Sequence, residues 1–329
     1  MKKTINVSSV GFDTYGGYAW LYNRFLLPLT NKYNFVRNDQ NPDFLFCTIL
    51  DTNFDFIKYN CPRIFICEEN IQPIFQLYDY WIGYDNKLSY GDRFLYLLLC
   101  LFNIKTISES LEIPTSSCLK DHARSRFCDF IYSHDDNGIR TKYFNLLNNY
   151  KKVYSYGTFK HGDGDEIAGG WPYKNKVLLQ KKSKFSLIIE SSKFSGGLVT
   201  EKIFHSLLAG SIPIYLGENE VNSIINPKRF INIKSFRNDE ELLNYIKEVD
   251  NNDKLYNSIV TQPPLIDPLF FKKQYNNMIL FLDRIFSQEQ INAVRRPDDE
   301  GLSKMFNDLF RKYNKNRHSK LRLFKKILR

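Results

Sequence analysis

Between Lys184 and Ile233 the spacing of apolar positions changes character twice. Lys184 to Glu190 (KFSLIIE) is a short apolar run of the kind that forms a buried strand. After a loop with paired Gly196 and Gly197, the residues Ile203, Phe204, Leu207 and Leu208 recur at i, i+1, i+4 and i+5, which places them on one helical face. Ile212 to Leu216 is again a buried-strand run. The pattern predicts strand, helix over 200–209, strand. Thr200 suits the N-cap, Glu201 complements the helix dipole, and Gly210 suits the stop.

The same reading extends along the chain. Ile5 to Val10 is a strand, followed by Gly11, Gly16 and Gly17, and by a helix from Tyr18 to Leu27 that Pro28 ends. Asn34 to Arg37, Asp43 to Ile49, Arg63 to Cys67 and Asp79 to Tyr84 are the next strands. Helices are scarce between some of them, which predicts an irregular amino-terminal sheet. The polar stretch Leu111 to Arg126 reads as a linker. Beyond it the alternation is regular: strand 127–133, helix 138–149, strand 152–155, a glycine-rich loop 157–170, helix 174–182, then the central segment and a strand at 229–233. Asp239 to Val249 and Phe270 to Phe286 have amphipathic helical spacing. The expected class is α/β, with a doubly wound parallel sheet whose ligands sit at the carboxyl ends of the strands. The expected domains are 1–115, 116–300 and a tail over 301–329.

Composition narrows the partners. At 329 residues, with 43% apolar, 16% aromatic and 25% charged residues, the chain suits two cores. Its net charge of +10 gathers in the tail: Arg311, Lys312, Lys315, Arg317, Lys320, Arg322, Lys325, Lys326 and Arg329 follow the last acidic residue, Asp308. Leu302, Met305, Phe306, Leu309, Phe310 and Tyr313 recur there at helical spacing. A basic amphipathic tail is expected to make a peripheral contact with an anionic membrane, with a docked helix or a solvated tail as the alternatives. Charge so concentrated does not make a nucleic-acid groove, and no nucleic-acid partner is expected. The six cysteines form no CxxC pair and are expected to be reduced. MKKTINVSSV lacks an apolar h-region, and the longest apolar run, Phe94 to Phe102, is short of the roughly 20 residues a membrane span needs. A cytoplasmic protein is expected. The five histidines are scattered, and Asp163-Gly164-Asp165 reads as a solvated turn, so no metal is implied.

The central segment admits two readings from spacing alone. In one, the glycines turn the chain, Thr200 caps, Glu201 meets the dipole and Lys202 is solvated. In the other, free N–H groups at the helix start and the Lys202 ammonium bind a diphosphate. At 4 Å and an effective dielectric of about 20, Lys202 would contribute about 4 kcal/mol before desolvation.

The motifs ESS, GGLVTEK and IPIYLG within Phe185 to Gly217 resemble the alpha-1,3-fucosyltransferases of glycosyltransferase family 10, bacterial type. So do Arg63 to Asn70 (RIFICEEN), Asp79 to Asp85 (DYWIGYD), Asp92-Arg93-Phe94, Arg126 to Ser133 (RFCDFIYS) and Asn226 to Asn232 (NPKRFIN), in the family's order. The resemblance implies a GT-B architecture of two Rossmann-like domains, with GDP-fucose on the carboxyl-terminal one and the glycan acceptor on the other. It implies inverting transfer to a GlcNAc-containing glycan of N-acetyllactosamine or O-antigen type, such as a lipid-linked lipopolysaccharide precursor or a glycosylated protein. No cofactor is required, although a divalent cation could help neutralise the diphosphate. Another nucleotide sugar on the same fold is the nearer alternative. Glu69 matches the general base, with Glu68, Asn70 and Asp85 on the acceptor side. Glu68 should face away from Glu69 if the strand continues. Glu201 matches a contact to the donor ribose or reacting centre, Lys202 the diphosphate contact, and Glu190 the donor strand end. Ser191, Gly197, Thr200 and Lys160 complete the donor side. The chain departs from the family at Ser191 (usually Asn), Leu198 (usually Tyr), Glu68 (usually Gly) and Lys160 (usually Arg); lysine keeps the charge and loses the bidentate fork.

Overall fold

The computed structural model describes residues 2–67, 69, 71–84, 90–99, 124–135, 137–160, 173–190, 196–297 and 301–315. It resolves two units: Met1–Leu97 with Gln274–Arg329, and Leu98–Lys273.

The first unit is built on a six-stranded, wholly parallel sheet. Its strands are β1 (Lys3–Val10), β2 (Tyr33–Arg37), β3 (Phe44–Thr48), β4 (Arg63–Ile66), β5 (Tyr80–Gly83) and β6 (Phe94–Tyr96), in the order β2-β1-β3-β4-β5-β6. Helix α1 (Gly17–Leu21) continues as a wider π turn over Tyr22–Leu26 and a tighter 3-10 turn over Leu27–Leu29, so the helix expected from Tyr18 is present but changes pitch. The expected irregularity of this sheet is not found. Local crossover helices are indeed scarce, but later segments supply the cover. Phe286 packs edge-on against Tyr33, Phe35 and Phe44 at ring separations of 5.1–5.9 Å. Phe310, only 6% exposed, stacks on Phe54 at 4.4 Å and joins the cluster of Phe56, Phe65, Tyr78 and Trp81.

That cover also corrects the expected boundaries. Residues 274–297, assigned by sequence to the second domain, lie with the first unit, and the helix over Gly301–Lys315 docks on it through Phe306 and Phe310. The buried carboxylate of Asp79 fastens the same region: it accepts from the N–H of Arg63 (2.7 Å), Arg295 (2.6 Å) and Arg296 (2.8 Å), and pairs with the Arg296 guanidinium.

The second unit holds a five-stranded parallel sheet in the order β11-β10-β9-β7-β8. Its strands are β7 (Arg126–Phe130), β8 (Val153–Ser155), β9 (Ser183–Ile189), β10 (Ile212–Leu216) and β11 (Ile231–Asn232). The helices are α2 (Ile139–Asn148), α3 (Tyr173–Gln180), α4 (Glu201–Leu208), α5 (Val221–Ile224), α6 (Asp239–Asn251) and α7 (Asp253–Val260), followed by α8 (Phe270–Ser287), within which the unit boundary falls, α9 (Gln290–Ala293) and α10 (Gly301–Lys315). Alternation along β9 sends Phe185, Leu187 and Ile189 into the core formed with α2, α6 and α7, and Ser186, Ile188 and Glu190 to the opposite face, toward α3 and α4. The order reverses at β7, whose sequence successor β8 lies on one side and β9 on the other. In such sheets the crevice beyond that reversal is where ligands bind.

Arg124 ties the opposite ends of these elements together. Its guanidinium donates to the carbonyls of Lys181 (3.3 Å), Ser183 (2.6 Å) and Ala209 (2.8 Å), so it caps the chain just past α3 and α4. Cys47, Cys61, Cys67 and Cys128 are buried and in no disulfide, as expected of reduced core cysteines.

Candidate active site

Glu190, with Thr200 and Lys202 held against it, lies at the carboxyl end of β9, beside the reversal point. Glu190 is 3% exposed, and its N–H donates to Leu216 O at 2.8 Å, which extends the β9–β10 pairing by one residue. Its carboxylate accepts from the Thr200 N–H at 2.9 Å and from the Thr200 hydroxyl at 2.8 Å. Thr200 is extended (φ −96°, ψ 178°) and caps α4, taking the Lys202 N–H at 3.5 Å. The Lys202 ammonium donates to Thr200 Oγ1 at 3.0 Å and lies 3.5 Å from Glu190 Oε2 and 4.0 Å from Glu201 Oε1.

This geometry revises the helix-start phosphate site. The Thr200 and Lys202 N–H groups, expected to await a phosphate, are taken by Glu190 and by the Thr200 hydroxyl. A buried carboxylate stands where an anion would sit at the head of α4. Gly197, at φ +83°, and Gly210, at φ +72°, supply the left-handed turns before and after the helix. Gly217 has a further role: a Cβ there would collide with the Tyr215 hydroxyl and the Glu190 side chain.

The electrostatics follow from five titratable groups brought together. Burial pushes the Glu201 carboxyl up, but Lys202, then His205 and Lys176, outweigh that and hold it at about 2. Burial pulls the Lys202 ammonium down, and Glu201 and Glu190 more than compensate, so it is held above the ordinary lysine range. Burial brings His205 down to about 4, against the attraction of Glu201, so the imidazole is neutral at physiological pH. Desolvation also lowers Lys176 on α3. A cavity of about 30 Å³ opens beside Lys202, with Tyr132, Lys176, Gln180 and His205 in its wall.

Of the residues expected on the donor side, Glu190, Thr200, Glu201 and Lys202 form one contiguous group, and Gly197 supplies a turn before α4. Lys160 does not join it: at φ +55° it places its ammonium 4.8 Å over the Phe144 ring and 3.4 Å from Asn145 Oδ1, on α2. Ser191 lies outside the described residues, as do Glu68, Asn70 and Asp85 on the acceptor side. Leu198, where the family carries tyrosine, is 4% exposed and packs inward as an apolar residue can. Glu69 is exposed in the turn after β4, where its carbonyl accepts from Ile71 N (2.8 Å) and the Cys67 thiol (3.1 Å). β4 ends at Ile66, and the expected opposition of Glu68 and Glu69 involves a residue outside those described. The motif reading missed Lys176, His205, Tyr132 and Arg140. Of these, only His205 was legible, four residues after Glu201 on the same helical face.

The model of glycosyltransferase family 10 (fucosyltransferase), carboxyl-terminal part, matches residues 122–261, and that of the alpha-(1,3)-fucosyltransferase FucT amino-terminal domain matches residues 11–103. The chain belongs to glycosyltransferase family 10. Among similar proteins, alpha-(1,3)-fucosyltransferase FucT of Helicobacter pylori is 28% identical over 272 residues, 72% of this chain and 55% of that protein. The 4-galactosyl-N-acetylglucosaminide 3-alpha-L-fucosyltransferase 9 of Rattus norvegicus is 32% identical over 160 residues, 47% of this chain and 40% of that protein. The family-10 chain thus spans about half the length of such relatives. A crystal structure of an alpha1,3-fucosyltransferase with GDP-fucose superposes with a TM-score of 0.69 at 22% identity, covering 91% of this chain and 94% of that one. This shared fold is the GT-B fold, with two Rossmann-like units.

Proposed function

We propose that this family-10 chain transfers fucose from GDP-fucose to a hydroxyl of a GlcNAc-containing glycan, forming an alpha-1,3 linkage with inversion at the anomeric carbon. The observation that carries the donor half is the Glu190–Thr200–Lys202 group at the point where the second sheet reverses its order. Lys202 is the cation for the diphosphate, Glu201 is the carboxylate for a donor hydroxyl, and the buried Glu190 holds Thr200 and Lys202 in position. The Helicobacter pylori and rat relatives supply the acceptor class and linkage by analogy.

In this reading the acceptor oxygen attacks the fucose anomeric carbon while the bond to the GDP oxygen breaks, and the acceptor proton passes to Glu69. The departing diphosphate carries the negative charge that Lys202 stabilises. No covalent intermediate forms. Helix α10 offers the membrane contact: with Phe306 and Phe310 docked, Lys304, Met305, Leu309 and Lys312 remain exposed.

The test is a glycan array incubated with GDP-fucose, with linkage assigned by NMR of the product. Glu69→Gln should abolish transfer while GDP affinity stays within about twofold. Retained turnover in that variant would remove Glu69 from the base role. Stabilisation of the protein by UDP and not GDP in a thermal-shift comparison would overturn the donor assignment.

A further inference from the structure

The two sides of β9 are held by different means. Toward β10 the backbone pairing runs from Phe185 to Ile189 and on to Glu190. Toward β7 the last paired residues are Asp129 and Ser186, and β7 itself ends at Phe130. Beyond that point the β9 backbone still presents an acceptor at Leu187 and a donor at Ile189 on its open edge. One side chain meets both. The Tyr132 hydroxyl donates to Leu187 O at 3.3 Å and accepts from Ile189 N at 2.6 Å.

Tyr132 is itself fixed in three ways. Its carbonyl accepts from Phe159 N at 3.0 Å. Gly157 packs so closely on its backbone that a Cβ there would overlap it. The Arg140 guanidinium, 5% exposed, lies 4.3 Å over its ring, donates to His134 O at 2.7 Å, and reaches Ile189 O at 3.5 Å. Arg140 therefore braces the loop after β7 against the end of β9. One residue past Ile189, Glu190 organises Thr200 and Lys202.

We infer that Tyr132, braced by Arg140, is a positioning residue of the donor site: its hydroxyl replaces the strand edge that β7 does not supply and sets where Glu190, Thr200 and Lys202 stand. The inference rests on the donor reading above. The device also explains how the crevice at the reversal point stays open: a phenol satisfies the β9 edge without a continuing strand that would fill it.

Tyr132→Phe removes the hydroxyl and almost no volume. Isothermal titration with GDP on the full chain should show affinity about 10-fold weaker than wild type, the scale of one lost hydrogen bond that leaves a buried N–H unpaired. The GDP-fucose KM should rise in parallel while the acceptor KM does not move. A purely structural role would instead lower the active fraction, and so kcat, with the donor KM unchanged; that result, or unchanged GDP affinity, overturns the inference. Should Tyr132→Phe fail to fold, Arg140→Lys keeps the charge but loses the planar stack and the second carbonyl bond, and should raise the donor KM at least about threefold. An unchanged donor KM there also overturns it. Failure of the wild-type chain to bind GDP would sink the donor reading and this inference together, whereas wild-type binding with an indifferent variant sinks the inference alone.

Discussion

Asp129 is a buried carboxyl that the proposed chemistry leaves unused, and it makes a sharp prediction about stability. It is 1% exposed, accepts from the Ser186 hydroxyl at 2.7 Å, and has the Gln180 amide nitrogen at 3.4 Å. Burial raises its pKa from 3.8 to about 7, against the opposing pull of those two bonds and of Arg124. At about 1.4 kcal/mol per pH unit, that displacement corresponds to about 4 kcal/mol. The sign follows from where the proton sits. Between pH 4 and 7 the folded chain holds this proton and the unfolded chain does not, so the contribution is full below pH 4 and is lost as pH rises through 7. Asp129→Asn removes the titration at nearly constant volume. Gln180 Oε1, buried with no partner, can turn to accept from the new amide. Urea unfolding followed by far-UV circular dichroism, at half-unit steps from pH 4.5 to 8.5, should show the variant gaining on wild type as pH rises, levelling near about 4 kcal/mol above pH 7. His205 and Glu201 also titrate, but they are common to both proteins and cancel in the difference. A difference that does not change with pH would refute the reasoning.

Three further outcomes are expected. Lys202→Ala should weaken GDP binding by at least about 10-fold in isothermal titration. It should also leave Glu190 without its ammonium partner, so a thermal scan should register lower stability of the second unit. Thr200→Val should cost about 1 kcal/mol for the lost α4 cap, read in urea unfolding. Phe310→Ala should cost about 3–5 kcal/mol of first-unit stability, because the ring is buried against Phe54 and Phe56, and limited proteolysis should then release the segment after residue 297.

The sequence was most legible where period and chemistry agreed. Over Lys184 to Leu216 the apolar spacing located β9, α4 and β10 to within a residue or two, because each buries one face against a single sheet. The first sheet was harder. Its strands were readable one at a time, but its regularity depends on Phe286 and Phe310, more than 190 residues beyond the strands they cover, and no local pattern carries that information. At the site, the glycines, the cap and the Glu201–Lys202 pair were legible because each follows from helix-terminus chemistry. Tyr132 was concealed by its position: the run FCDFIYS reads as unbroken strand to Ser133, whereas β7 stops at Phe130 and frees Tyr132 to serve β9. Lys176 and Arg140 had no sequence signal, since each reaches the site from a different crossover helix.

The arrangement around Lys202 changes what donor binding must involve. Read from the sequence, Lys202 was a solitary cation worth about 4 kcal/mol to a phosphate at 4 Å. In the folded chain that ammonium already lies within 4.0 Å of two carboxylates and donates to a hydroxyl. On the proposed donor reading a diphosphate would enter by exchange, and the net gain would be the difference between two charge pairings, well below the isolated value. Glu201 does not lose all compensation in that exchange, since Lys176 acts on it from α3. Glu190 keeps the Thr200 N–H and hydroxyl. The helix head would consequently stay capped whether or not Lys202 turns to a ligand, so that ammonium could serve the leaving group without unwinding α4. Double-mutant coupling between Lys202 and Glu190 should accordingly be larger in the free chain than with GDP bound, and equal coupling in the two states would show that Lys202 never leaves its carboxylates.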